Sequence, residues 1–86
     1  MEEKDNEIQV FVESASGATY MIQAKLNETV ADLKEKIERK SMARIEYQKL
    51  AYCGKRLSDE KVTLKDANFS ELCTVHLLVV VTGGHP

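Results

Sequence analysis

A mixed β-sheet packed on one α-helix, an α+β fold, follows from three features of this chain. Two runs near the start alternate in polarity, a middle segment repeats at helical spacing, and the most apolar stretch comes near the end. In the first run Ile8, Val10 and Val12 share one face while Gln9, Phe11 and Glu13 share the other, the pattern of a half-buried strand. Residues 14–17, Ser-Ala-Ser-Gly, supply a turn in which Gly17 is free to take a positive φ. Alternation resumes with Tyr20, Ile22 and Ala24 facing one way and Thr19, Met21 and Gln23 the other, so the two runs form a hairpin. Thr29 is a good helix N-cap with Asp32 three residues on, a weak form of the capping box. Val30, Leu33 and Ile37 then recur at helical spacing, with Lys34, Glu35, Lys36, Glu38 and Arg39 on the outside. A connector over 41–48 leads to a short strand over 49–52, a turn at Gly54 and a further strand or bend at Leu57. Residues 58–68 read as loop, with a helical turn around 64–67. The last strand, over 74–81, holds the run Val75, Leu77, Leu78, Val79, Val80 and Val81. Such a run suits a central strand screened from water on both faces. The first and last strands can then pair in parallel, with the helix as a right-handed crossover.

Composition bounds the function. Eighty-six residues make one domain, and an apolar fraction of 43% is ordinary for a globular protein. Twelve basic against 14 acidic residues leave no field for nucleic acid. The longest apolar run is too short to cross a bilayer, and the polar start, Met1-Glu-Glu-Lys-Asp-Asn6, has no resemblance to a signal peptide. Residues 1–6 are expected to be a solvated tail, 7–82 the domain, and 83–86 a short extension. Two cysteines, Cys53 and Cys73, do not make a disulfide framework and read as free thiols of a cytoplasmic or nuclear protein. No nucleophile–base pair, phosphate loop or metal-ligand cluster stands out, so neither catalysis nor a cofactor is expected.

The ordered set of segments resembles the ubiquitin family from Ile8 to Gly84. Ile8-Gln-Val-Phe-Val12 is similar to the family's opening strand and Thr29-Val-Ala-Asp-Leu-Lys-Glu-Lys-Ile37 to its helix. Gln48-Lys-Leu-Ala-Tyr-Cys-Gly-Lys-Arg-Leu57 resembles its third strand and turn, and Thr63-Leu-Lys-Asp-Ala-Asn68 with Thr74-Val-His-Leu-Leu78 continues the likeness. The register holds with one inserted residue between Asp59 and Val62. The resemblance implies the ubiquitin-like β-grasp fold.

Family members are of two kinds: modifiers conjugated through a C-terminal diglycine, and fixed domains that dock proteasome, chaperone or ubiquitin-pathway receptors. Gly83-Gly84 falls where the family's diglycine lies, with His85-Pro86 as a propeptide or the start of a linker. Val80 and Thr82 stand where ubiquitin carries arginines that engage its activating enzyme, so the resemblance implies a dedicated one. Activating and conjugating enzymes, a processing protease or docking receptors are the expected partners of a monomer. The family's docking patch maps to Ala15, Ala51, His76 and Leu78, with Lys49 and Lys55 as rim candidates. Alanine at two positions removes roughly 50–80 Å² of apolar surface each, about 1–2 kcal/mol per site at 25 cal/mol per Å². Generic ubiquitin receptors are therefore expected to bind poorly. His76, without ligands at metal spacing, reads as a surface contact. Cys53 lacks a paired base. Lys36 and Lys55 match family lysines on which chains grow, whereas Lys34 matches a partly buried lysine whose acidic partner maps to Asp59. The absence of the family's helix-ending glycine, replaced by Met42, and of its proline pair, replaced by Arg44-Ile45, implies a looser connector over 41–47.

Overall fold

The first alternating run is strand β1, Glu7–Ser14, and it pairs antiparallel with β2, Thr19–Lys25. The structure is a computed structural model that describes residues 6–80. Gly17 turns the hairpin at φ 104°, a left-handed conformation that costs glycine nothing. The ladder reaches Asn6, whose carbonyl accepts the Leu26 N–H at 2.7 Å. Asn6 therefore belongs to the hairpin rather than to the solvated tail expected over 1–6; residues 1–5 lie outside the described part.

Helix α1, Val30–Ser41, begins at a complete capping box: Asp32 N–H donates to Thr29 Oγ1 at 3.2 Å and Thr29 N–H to Asp32 Oδ2 at 3.0 Å. Val30, Leu33 and Ile37 face inward as their spacing requires. The helix closes on Met42 in the left-handed region, φ 66°. The connector over 41–47 has hydrogen bonds of its own. A one-turn 3₁₀ helix, Ile45–Tyr47, fills it, and the Gln48 side-chain amide donates to Lys34 and Ala43 carbonyls at 3.0 Å each.

Strand β3, Gln48–Tyr52, turns through Cys53-Gly54, both at positive φ, into the two-residue β4, Lys55–Arg56. Residues 64–68 form successive turns, and Phe69 and Leu64 enter the core. Strand β5, Cys73–Val79, completes a five-stranded sheet in the order β2-β1-β5-β3-β4, with β1 and β5 parallel at its centre. The core is one cluster between α1 and one sheet face. It includes Val10, Val12, Leu33, Ile37, Leu50, Leu64, Val75 and Leu77, each large aliphatic side chain contributing about 1.5–3 kcal/mol on burial.

One expectation needs correction. β5 is central in the sheet yet is not screened on both faces: Leu78 is 50% and Val79 39% exposed. Among the described residues a single helix covers one face of the sheet only, so β5 alternates buried Val75 and Leu77 with exposed Thr74, His76 and Leu78. The result is the ubiquitin-like β-grasp architecture, a mixed sheet on one helix.

Candidate functional site

The open sheet face is assembled by strand alternation. His76 and Leu78 point outward from β5, and their register partners Ala51 and Lys49 from β3. Glu13 lies opposite His76 on β1. The first turn is drawn to this face because Ala15 N–H donates to the Leu77 carbonyl at 3.0 Å. Together they border a groove of about 440 Å³ that includes Ala15, Lys49, Ala51, Arg56, His76 and Leu78. Its apolar centre is narrow, Leu78 flanked by two alanines, and its border carries Lys49, Arg56 and His76 against Glu13. His76 Nδ1 lies 3.4 Å from Glu13 Oε1, an ion pair when the imidazole is protonated.

Five of the six residues expected on this surface are brought together. Lys55 does not line the groove; it borders a second cavity of about 340 Å³ beside Tyr52, Cys53 and Leu57. The cause is the pleat. Arg56 pairs with Ala51 and shares its outward face, whereas Lys55 pairs with Tyr52 on the helix side. Arg56 and Glu13 were missed in the sequence, although alternation from Ala51 through a two-residue turn could have found Arg56.

The lysines differ in availability. Lys36 is engaged twice, with its Nζ 2.9 Å from Glu28 Oε1 and 2.9 Å from the Gln23 carbonyl. Lys55 is exposed and has no ion pair among the described residues. Lys34 is 7% exposed and meets Glu60 at 2.8 Å, not Asp59. Asp59 instead accepts the Lys61 N–H at 3.0 Å within an exposed turn. Gly83 and Gly84 lie outside the described residues.

On the helix side, Tyr52 stacks on Phe69 with ring centroids 4.5 Å apart and donates its hydroxyl to the Asn68 carbonyl at 3.2 Å. Both cysteines are free, Cys53 exposed and Cys73 half-buried. Desolvation, and then the charge of Cys73 and hydrogen bonding to both thiols, raise the Tyr52 phenol above its usual value. His76 is on the opposite face, so among the described residues neither thiol has an imidazole beside it. Among the described residues no group of three or more histidine, cysteine or acidic side chains is placed to hold a metal ion. No helix among them is long and apolar enough to cross a membrane.

Comparison with known proteins agrees with this architecture. The model of the ubiquitin family matches residues 10–81. The NEDD8-like protein RUB3 of Arabidopsis thaliana is 33% identical over 63 residues, 73% of this chain and 80% of that protein. The NEDD8-like protein RUB1 of Saccharomyces cerevisiae is 30% identical over 76 residues, 88% of this chain and 97% of that protein. The solution structure of a ubiquitin-like domain from an Arabidopsis thaliana protein superposes with a TM-score of 0.84 at 23% identity, covering 94% of this chain and 85% of that one.

Proposed function

Because the chain belongs to the ubiquitin family, we propose that it is a ubiquitin-like protein modifier, joined through Gly84 to amino groups of target proteins. The observation that carries this reading is Gly83-Gly84 itself, which follows in the sequence shortly after β5 ends at Val79. Similarity to NEDD8-like proteins, in one case over 97% of the relative's length, supports it. The chemistry gives glycine a reason. A tail whose carboxylate is adenylated, passed to an enzyme thiol as a thioester and then to an amine must thread narrow channels, where a Cβ would clash. In this reading whatever follows Gly84, His85-Pro86 included, is removed first, and the protein acts in cytosol or nucleus with no catalysis of its own. Val80 and Thr82 in place of arginines point to a dedicated activating enzyme. Chain growth on this protein would use Lys55, which is exposed, rather than Lys36, which is held by Glu28 and the Gln23 carbonyl.

A second reading, a fixed docking domain, is favoured by the groove around Leu78, Ala51 and His76, whose use does not need Gly84. Denaturing pull-down of N-terminally tagged protein from cells, wild type beside Gly84→Ala, separates the two. Higher-mass adducts lost in the variant establish conjugation. A single unmodified band in both variants rejects it and leaves the docking reading.

A further inference from the structure

The end of β3 and the start of β5 bring the chain's two cysteines together. The β3–β5 ladder runs antiparallel, with Ala51 opposite His76. Continued past that pair, the register sets Tyr52 opposite Val75, Cys53 opposite Thr74 and Gly54 opposite Cys73. Cys53 and Cys73 are then diagonal neighbours on adjacent strands. A strand spacing near 4.8 Å and a rise near 3.3 Å per residue put their Cα atoms about 6 Å apart. A disulfide spans about 4.4–6.8 Å between Cα atoms.

Strict alternation would turn Cys53 to the open face, away from Cys73. The chain leaves the strand at this residue, with φ 54° at Cys53 and 79° at Gly54. Tyr52 stands on the helix side, stacked on Phe69, and its hydroxyl donates to the Asn68 carbonyl. Both thiols hydrogen-bond with that same phenol oxygen, so two sulfurs from different strands converge on one atom. Their surroundings differ. Cys73 is half-buried against the core, whereas Cys53 is exposed and lies outside the core cluster. A side chain at positive φ is strained, and here it adds no core packing, so what Cys53 contributes is its thiol.

We propose that Cys53 and Cys73 are a reversible redox pair, which a low-molecular-weight disulfide converts to an intramolecular bridge. The exposed Cys53 thiolate attacks one sulfur of the reagent. The reagent's S–S bond breaks, one of its thiolates leaves, and a mixed disulfide remains on Cys53. The Cys73 thiolate then attacks the Cys53 sulfur, the mixed bond breaks, and the second reagent thiolate leaves. Two protein thiols are oxidised and one reagent disulfide is reduced to two thiols, which take up the two protons. The bridge ties the β3–β4 turn to the first residue of β5. That turn carries Lys55 and one wall of the 340 Å³ cavity beside Tyr52 and Leu57, so oxidised and reduced chains present different surfaces there. The pair works whether or not the chain is conjugated.

The test is incubation of the folded full chain with oxidised glutathione, followed by intact mass and tryptic peptide mapping. The expected product is a monomer two hydrogens lighter, free of glutathione and returned to its starting mass by dithiothreitol. Trypsin should release residues 50–55 joined to residues 66–86 through Cys53 and Cys73. Cys73→Ser should stop at a lasting glutathione adduct on Cys53. Cys53→Ser, left with the half-buried thiol, should form its adduct about tenfold more slowly than Cys73→Ser does. Both exchanges are conservative, and the wild-type product decides alone should either variant fail to fold. The proposal is overturned if the wild type keeps glutathione on Cys53, if bridges form only between two chains, or if both thiols survive a large excess of the reagent.

Discussion

Replacing Glu60 by glutamine should cost the fold about 1–2 kcal/mol, while Asp59→Ala should cost less than about 0.5 kcal/mol. The magnitude follows from the geometry of the pair. The Lys34 side chain is 8% exposed and its Nζ lies 2.8 Å from a Glu60 carboxylate that is 49% exposed. Breaking a fully buried pair strands a charge at about 3–5 kcal/mol. Here half of the pair faces water, which can partly solvate the ammonium through the opening left by glutamine, so the cost falls well below that range. Asp59 is exposed and holds only a turn N–H. In urea, with m near 1 kcal/mol/M for a domain of this size, Glu60→Gln should lower the midpoint by about 1–2 M. Lys34→Met removes the charge that needs a partner, so in that background Glu60→Gln should cost no more than about 0.5 kcal/mol. Equal losses from Asp59→Ala and Glu60→Gln, or an unchanged Glu60→Gln cost beside Met, would refute the assignment of the partner.

Met42→Gly should stabilise the protein by about 0.5 kcal/mol: φ 66° strains any residue with a Cβ, the side chain is 82% exposed, and the gain is partly offset by the freer unfolded chain. A urea midpoint that falls or stays put would contradict this. In a Tyr20→Phe/Tyr47→Phe background, absorbance titration should place the Tyr52 phenol above 10, its ordinary value, with Cys73→Ser lowering it. Because the folded state keeps that proton longer than the unfolded one, stability should fall as pH rises from about 10 towards the folded value. A midpoint at or below 10 would show that burial and the neighbouring thiols do not act on it.

The hairpin and the helix were legible from residue pattern alone because each depends on local period, and the final strand because its apolar run is nearly continuous. Ile8, Val10 and Val12 alternate, Val30, Leu33 and Ile37 recur at helical spacing, and Thr29 with Asp32 marks the helix start through bonds three residues apart. The open-face site was legible through the family resemblance, which maps the docking patch to Ala15, Ala51, His76 and Leu78, and not through the period of β5, whose run is apolar at both parities. What required the tertiary structure was every contact whose two halves are far apart in the chain or separated by an irregular segment. The carboxylate facing Lys34 is that of Glu60, 26 positions on in the chain, and a two-residue turn at Cys53-Gly54 decided that Arg56 rather than Lys55 faces the groove. A run of valines and leucines in β5 cannot disclose how many layers cover it; one helix covers one face, and Leu78 is left in water. Nor does Lys36 reveal in sequence that it seals the edge of β2, because Glu28 and the Gln23 carbonyl meet it only once helix and hairpin have docked. Local periodicity is encoded by neighbours, whereas pairing across elements is set by packing, and only the folded chain brings those partners together.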